Sequence, residues 1–102
     1  MTMRYQYEKD IERYLTDRVE ERGGMCIKIG MDGMPDRLII LPGKDEDDVP
    51  VYVWCELKRY DGKLSELQRW QLLRLAKVGA HLETPRSKAD VDKLIRRYGA
   101  NE

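Results

Sequence analysis

Apolar residues recur along this chain with two different periods, and the changes between them predict where helices and strands alternate. A spacing of three and four residues predicts a first helix from Tyr7 to Arg22 with one apolar face. The Gly23-Gly24 pair ends this helix, since glycine readily takes the left-handed conformation found after a helix C-terminus. The apolar face is formed by Tyr7, Ile11, Tyr14, Leu15 and Val19.

Four short apolar runs, each bounded by glycine, proline or acidic residues, predict β-strands. They are Met25–Ile29, Arg37–Leu41, Val51–Lys58 and His81–Thr84. The acidic segment 44–48 between the second and third runs is too short to hold a crossover helix. These two strands are therefore expected to form an antiparallel hairpin.

Two N-capping signatures mark the starts of two further helices. Ser65-Glu66-Leu67-Gln68 has the form of a capping box and predicts a helix that continues to Val78. Ser87-Lys88-Ala89-Asp90 opens a last helix, which Gly99 ends. The predicted order is α-β-β-β-α-β-α, an α/β (α+β) fold with a mixed central sheet flanked by helices, and residues 1–102 are expected to form one domain.

Composition excludes several classes of protein. Hydrophobic residues make up 41% of the 102 positions and charged residues 37%, which is too apolar for a disordered chain and too polar for a membrane protein. No apolar run approaches the length of a membrane span, and the polar start lacks a signal peptide's apolar region. We therefore expect a cytoplasmic protein without a membrane partner. Cys26 and Cys55 are expected as free thiols, with one disulfide as the alternative, and they are too few for a zinc site.

Charge is distributed unevenly although the net charge is zero. Residues 1–57 carry 8 Lys/Arg and 13 Asp/Glu, a net of −5, whereas residues 58–102 carry 11 and 6, a net of +5. A zero total argues against a purely electrostatic nucleic-acid binder. The basic half leaves room for a local phosphate-binding face, and equally for helices that are merely well solvated.

The hairpin brings two carboxylates together. Opposed residues in an antiparallel pair have numbers that sum to a constant, and a turn centred on Glu46 makes that sum 92, so Asp36 faces Glu56. Their Cβ atoms would then lie about 5 Å apart, close enough to share a cation. Without a cation the two carboxylates would repel each other.

The third strand places a lysine beside this pair. Val51, Val53, Cys55 and Leu57 alternate with Tyr52, Trp54, Glu56 and Lys58, so Glu56 and Lys58 share the face opposite the core. Carboxylates bind Mg²⁺ through hard oxygen ligands, the metal polarises a phosphodiester, and a lysine neutralises developing negative charge. A Glu-x-Lys motif alone is common and often forms only a surface salt bridge. Asp36 across the hairpin favours the phosphate-hydrolysis interpretation.

Three motifs in this order resemble a known nuclease family. They are Gly33-Met34-Pro35-Asp36-Arg37, Cys55-Glu56-Leu57-Lys58 and Gly62-Lys63-Leu64-Ser65-Glu66-Leu67-Gln68. The combination resembles the VRR-NUC domain (virus-type replication-repair nuclease) of the PD-(D/E)XK superfamily, and the likeness spans nearly the whole chain.

The resemblance implies a role for each motif residue. Asp36 and Glu56 would ligate Mg²⁺ or Mn²⁺ together with the backbone carbonyl of Leu57, and Lys58 would be the catalytic lysine. Gln68 would be an additional active-site polar residue. The first-helix acid of the family matches Glu8, with Glu12 as a competing candidate, although Glu8 also fits a first-turn acid favoured by the helix dipole.

The resemblance also implies a substrate and a partner. Small standalone members occur in phages and bacteria and resemble Holliday-junction resolvases, which predicts a homodimeric endonuclease acting on branched or four-way DNA. A noncatalytic DNA-binding subunit that retains the fold is the alternative, and cleavage of RNA or single-stranded ends is a weaker one. Arg59, Lys63 and Arg69 are the candidate DNA-backbone contacts.

Three ring-bearing residues have more than one interpretation. Trp54 and Trp70 are expected to fill a core or a dimer interface, with base stacking as the alternative. His81 is expected to be structural, because it lies on a strand remote from the motifs.

Overall fold

The computed structural model of the chain describes residues 7–43, 49–58 and 62–99. Within these ranges the element order is the expected α-β-β-β-α-β-α. The acidic segment 44–48 and Arg59 lie outside the described residues. The helices are α1 (Glu8–Glu21), α2 (Glu66–Lys77) and α3 (Lys88–Tyr98), and the strands are β1 (Met25–Lys28), β2 (Arg37–Leu41), β3 (Val51–Cys55) and β4 (His81–Glu83).

The strands form one mixed sheet in the order β1-β2-β3-β4. The first two pairings are antiparallel and the β3–β4 pairing is parallel. In the β2–β3 hairpin Arg37 pairs with Cys55 and Leu38 with Trp54, so the residue numbers sum to 92. The register derived from the sequence is confirmed.

Strand β3 ends at Cys55, three residues earlier than the sequence predicts. Its partner β2 begins at Arg37, and beyond that point the side chain of Asp36 replaces the backbone ladder by accepting a hydrogen bond from the Leu57 amide at 3.0 Å. On the other side, the amides of Glu56 and Lys58 still donate to the carbonyls of Glu83 and Pro85. The motif segment therefore stays extended without being a regular strand. Strand β2 has the predicted bounds, and the remaining elements differ from the predicted ones by one residue at one or both ends.

The core lies between one face of the sheet and the pair α1 and α3. Inward residues of β2 and β3 meet a stripe from each helix, as the alternation and the helical spacing predict. The cluster contains Ile11, Leu15, Val19, Ile39, Leu41, Val53, Cys55, Leu57, Val91, Leu94 and Ile95. Tyr7 is the exception to the predicted helix face, because it precedes α1 and is 62% exposed.

Helix α2 lies on the other face of the sheet, where its Gln68 bonds to Glu56. No residue of α2 is buried, and Trp70 is 53% exposed while Trp54 is half-buried. The expected core role for Trp70 is therefore wrong within this chain. The helix has only one partly covered side and presents the other to solvent.

Both cysteines are free thiols, as expected. Cys55 is buried, and burial raises the pKa of its thiol well above the usual value, whereas Cys26 is only half-buried. His81 is exposed on β4 with its ring 5.1 Å from the ring of Tyr98. Among the described helices none combines the length and the apolar character that crossing a membrane requires.

Candidate active site

Asp36 is fixed by the turn that precedes β2. Gly33 has a φ of 77°, which the turn requires and L side chains rarely adopt, and Pro35 is fully buried. The Asp36 carbonyl accepts a hydrogen bond from the Ile29 amide at 2.8 Å. Its carboxylate oxygen Oδ2 accepts the Leu57 amide at 3.0 Å, so both its backbone and its side chain are held. The Gly-x-Pro-Asp motif thus aims one carboxylate at the end of β3.

Glu56 is the most deeply buried acid of the site, with 2% of its surface exposed. Its Oε2 atom accepts a hydrogen bond from Gln68 Nε2 at 2.9 Å and lies 3.4 Å from Lys58 Nζ. Its other oxygen, Oε1, is buried and has no hydrogen-bond partner among the described residues. Burial raises the pKa of Glu56, and the charge of Asp36 raises it further, while Lys58 opposes both effects.

Gln68 connects the start of α2 to Glu56. Its side-chain oxygen accepts the Ser65 amide at 2.9 Å and its backbone amide donates to Ser65 Oγ at 3.1 Å, which is the predicted capping box. The side-chain nitrogen remains for Glu56. One residue therefore caps the helix and holds the active-site carboxylate with opposite ends of the same amide.

Lys58 is placed by its backbone as well as by its charge. Its amide donates to the Pro85 carbonyl at 3.3 Å, and its side chain is 17% exposed. The side chain is therefore largely covered beside Glu56, yet part of it still reaches solvent. This is the juxtaposition that the shared strand face predicts.

The two first-helix candidates have different surroundings. Glu12 forms an ion pair with Arg37, with its Oε1 atom 2.7 Å from Arg37 Nη2. Glu8, one turn earlier, is exposed, and its charge contributes the smallest of the effects that raise the pKa of Glu56. Glu12 is thus engaged with Arg37, while the charge of Glu8 acts weakly on Glu56.

Two contacts near the site were not foreseen from the sequence. Arg37 is buried at the inward first position of an otherwise apolar strand, and it anchors α1 through Glu12. Its charge at an inward position was the available signal. The second contact joins Gly33 to Leu67, since a Cβ atom on Gly33 would overlap Leu67 Cγ. Nothing in the spacing of these residues indicates that contact.

The carboxylate pair fits a divalent cation. Glu56 Oε1 is a buried acceptor without a partner in the described part of the chain, and the charge of Asp36 raises the pKa of the same carboxyl group. Hard oxygen donors of this type suit Mg²⁺ and Mn²⁺. Within the described ranges, however, no three His, Cys, Asp or Glu side chains are close enough to hold a metal ion together. Further ligands would have to be the Leu57 carbonyl, water or the substrate.

The candidate DNA contacts are only partly described. Lys63 and Arg69 are both exposed, one just before α2 and the other in its first turn and a half. The Gly62 carbonyl accepts a hydrogen bond from the Arg86 guanidinium, which ties this loop to the segment before α3. The backbone next to Lys63 is thereby held in place. Lys63 itself lies shortly before α2 and close in sequence to Gln68.

Comparison with solved structures gives two matches of interest. One is described as a VRR_NUC domain and shares 33% identity with a TM-score of 0.77, covering 89% of this chain and 96% of the other. A second, described as a VRR_NUC domain protein, shares 14% identity with a TM-score of 0.69 over 97% of this chain and 96% of the other, and it supports the fold. No protein-family model and no curated protein sequence matches the chain. Given the first match and the Asp36, Glu56 and Lys58 geometry, the chain belongs to the VRR_NUC nuclease family.

Proposed function

We propose that this protein is a metal-dependent DNA endonuclease that uses Mg²⁺ or Mn²⁺ and prefers branched DNA, including four-way junctions. The observation that carries the proposal is the buried Glu56 carboxylate: its Oε1 atom has no partner among the described residues, its Oε2 atom lies 3.4 Å from Lys58 Nζ, and the charge of Asp36 raises its pKa. A buried carboxylate oxygen without a partner is costly in a stable fold unless a ligand satisfies it.

Each residue has a distinct task in this proposal. Asp36 and Glu56 would hold the cation, with the Leu57 carbonyl as a further ligand, and Gln68 keeps Glu56 in place through its 2.9 Å hydrogen bond. When bound, the divalent ion supplies Lewis-acid polarisation of the phosphodiester. Lys58 stabilises negative charge that develops on the phosphate, since its ammonium group is partly desolvated and still accessible.

Glu8 has a supporting role in the same proposal. Its carboxylate acts on Glu56 at long range and does not complete a three-acid cluster among the described residues. We infer that Glu8 would act on a bound cation through water, because it is exposed at the start of α1 and its charge acts only weakly on Glu56. Loss of Glu8 should therefore weaken metal binding less than loss of Glu56 does.

Substrate binding depends on the basic second half of the chain. Arg59, Lys63 and Arg69 are proposed to contact the DNA backbone next to the carboxylate pair, which offsets the negative charge there. Symmetric cutting of a four-way junction needs two active sites, so the proposal includes a homodimer. Each copy provides the basic residues near α2, and the second copy doubles the surface that faces the DNA.

A cleavage assay tests the proposed function. Labelled four-way, duplex and single-stranded DNAs of matched length are incubated with Mn²⁺ or with EDTA. We expect cleavage only with the metal, fastest on the junction, and a loss of about 10²-fold or more in Glu56→Ala and Lys58→Ala. Glu20→Ala and Lys93→Ala, which remove exposed charges from α1 and α3, are the matched controls and should cut normally.

Three outcomes would contradict parts of this proposal. Undiminished cleavage by Glu56→Ala or by Lys58→Ala would contradict the assigned mechanism. Tight junction binding without cutting in any divalent metal favours a noncatalytic subunit that retains the fold. Preference for RNA or for single-stranded ends overturns the substrate assignment while leaving the metal site in place.

A further inference from the structure

Helix α2 exposes an apolar stripe on the side that faces away from the sheet. Positions i, i+4, i+7 and i+11 of a helix lie on one side, and in α2 these are Glu66, Trp70, Leu73 and Lys77. Trp70 is 53% exposed and Leu73 66% exposed. Gln68 lies about 200° from Glu66 around the helix, so it points to the opposite side. The stripe is therefore separate from the active site.

We propose that the α2 stripe is the surface by which two copies of this chain form a dimer. The inference rests on the homodimer included in the proposed function and specifies where it assembles. An antiparallel arrangement of two α2 helices, with a two-fold axis between Trp70 and Leu73, pairs residues whose numbers sum to 143. Trp70 then faces Leu73 of the second copy, and Glu66 faces Lys77.

This stripe is complementary to itself in charge. An acid occupies its N-terminal end and a base its C-terminal end, so the antiparallel pairing forms two ion pairs around an apolar centre. The same pairing sets the two helix dipoles in opposite directions. A parallel pairing would instead place Glu66 against Glu66. The charge pattern thus selects one orientation of one partner.

The surface beside the stripe continues the apolar area. A hollow of about 360 Å³ lies among Trp70, Leu73, Arg74 and Lys77, and the Arg74 guanidinium stacks 4.7 Å from the centre of the Trp70 ring. A second hollow of about 320 Å³ adjoins it across Arg74. It is lined by Met31, Met34, Gln71, Arg74, Leu75 and Val78. A dimer would need the surface of these two hollows as well as the stripe, because a stable interface buries roughly 800 Å² per partner, more than two side chains supply.

A nucleic-acid partner fits this stripe less well. Trp70 with its stacked Arg74 resembles a base-stacking platform. Leu73 is aliphatic and offers no ring, however, and Glu66 repels phosphate at the end of the stripe nearest the active site. The observations therefore favour a second copy, and DNA binding by the stripe becomes an outcome of the test.

The oligomeric state is measured by sedimentation velocity without DNA or metal, at about 5 to 100 μM chain. At the upper concentrations we expect the wild type to have an apparent mass of about twice the 12.0 kDa of one chain. Leu73→Glu should remain monomeric, with an unchanged circular dichroism spectrum. Met25→Glu is the matched control, because Met25 is 58% exposed on β1, and it should dimerise normally.

A charge exchange tests the antiparallel pairing itself. Glu66→Lys alone and Lys77→Glu alone place like charges together and should each weaken the dimer by about 5-fold or more, while the double exchange should restore it. A dimer that persists in Leu73→Glu overturns the interface and leaves the homodimer intact. A wild type that is monomeric throughout overturns both, without touching the nuclease chemistry. If, in addition, Leu73→Glu lowers the DNA affinity of that monomer, the stripe is assigned to DNA instead.

Discussion

Glu56 is a buried acid whose hydrogen-bonding needs are only partly met by the described residues. It is 2% exposed, one of its oxygens has no partner among the described residues, and a second carboxylate faces it. Gln68 and Lys58 satisfy only Oε2. A residue that stabilised the fold alone would be expected to have both oxygens bonded. The cost of Glu56 is understandable if a ligand binds there.

Replacing Glu56 with its neutral isostere should stabilise the metal-free protein. The folded state raises the pKa of Glu56, so stability is lost as pH rises from the unfolded pKa through the folded one. Glu56→Gln does not ionise at this position, so it avoids this loss of stability. Its Tm should exceed that of the wild type by a few degrees at about pH 8 in EDTA, and the difference should shrink toward about pH 4. Thermal melts across pH provide the measurement. A lower Tm for the variant at about pH 8 would show that the ionised carboxylate is not the strained form.

Two substitutions should distinguish the helix-capping role of Gln68 from its role in the active site. Ser65→Ala removes the cap and should cost about 1 kcal/mol of stability, with a small loss of cleavage. Gln68→Ala removes the other half of the capping box, the bond from the Ser65 amide, together with the bond to Glu56, so it should lose a similar amount of stability and far more cleavage. Denaturant melts and cleavage rates on the same samples provide the comparison. Equal losses of cleavage in both variants would reduce Gln68 to a helix cap.

At the scale of elements, two contacts at the start of α2 connect it to the active site. No residue of α2 is buried, and besides its contacts with β4 the helix is held through Gln68 and through the packing of Leu67 against Gly33. The same turn also fixes Asp36, which follows Gly33 by only three residues. The contact between Leu67 and Gly33 therefore connects the two motifs that supply Asp36 and Gln68.

Adding a methyl group at Gly33 should disturb both motifs. Gly33→Ala imposes a φ of 77° on a residue with a side chain, and its Cβ would clash with Leu67. We expect a loss of about 1–3 kcal/mol in stability and slower cleavage. Gly30→Ala, in the same turn but with open space around it, should be nearly neutral. Adding Leu67→Ala to Gly33→Ala should restore part of the stability by relieving the clash.

One outcome would contradict the prediction for Gly33. If Gly33→Ala and Gly30→Ala have the same stability and activity, the turn does not hold α2 in place. The chemistry of Asp36 and Glu56 would be unaffected by that result.

For the molecule as a whole, the local signals in the sequence identify most of the fold. The capping box at Ser65, the alternation in β3 and the symmetry of the hairpin each depend on neighbours in sequence, and each is confirmed. The hairpin register is the reason why Asp36 and Glu56 were found. The early end of β3 was missed, because it depends on the Asp36 side chain bonding to the Leu57 amide.

Long-range contacts account for the remaining differences. The burial of Arg37 against Glu12 and the packing of Leu67 on Gly33 join segments far apart in the chain, and no periodicity encodes them. The exposure of Trp70 also contradicts its apolar character within one chain. The proposed α2 dimer would cover it.

The metal site can be observed directly in a crystal of the protein soaked in Mn²⁺. The anomalous signal locates the ion without any assay of activity. We expect one peak within about 2.5 Å of carboxylate oxygens from both Asp36 and Glu56, and its absence in Glu56→Gln. An ion bound elsewhere, or no ion beside Glu56 Oε1, would contradict the metal site and with it the proposed mechanism.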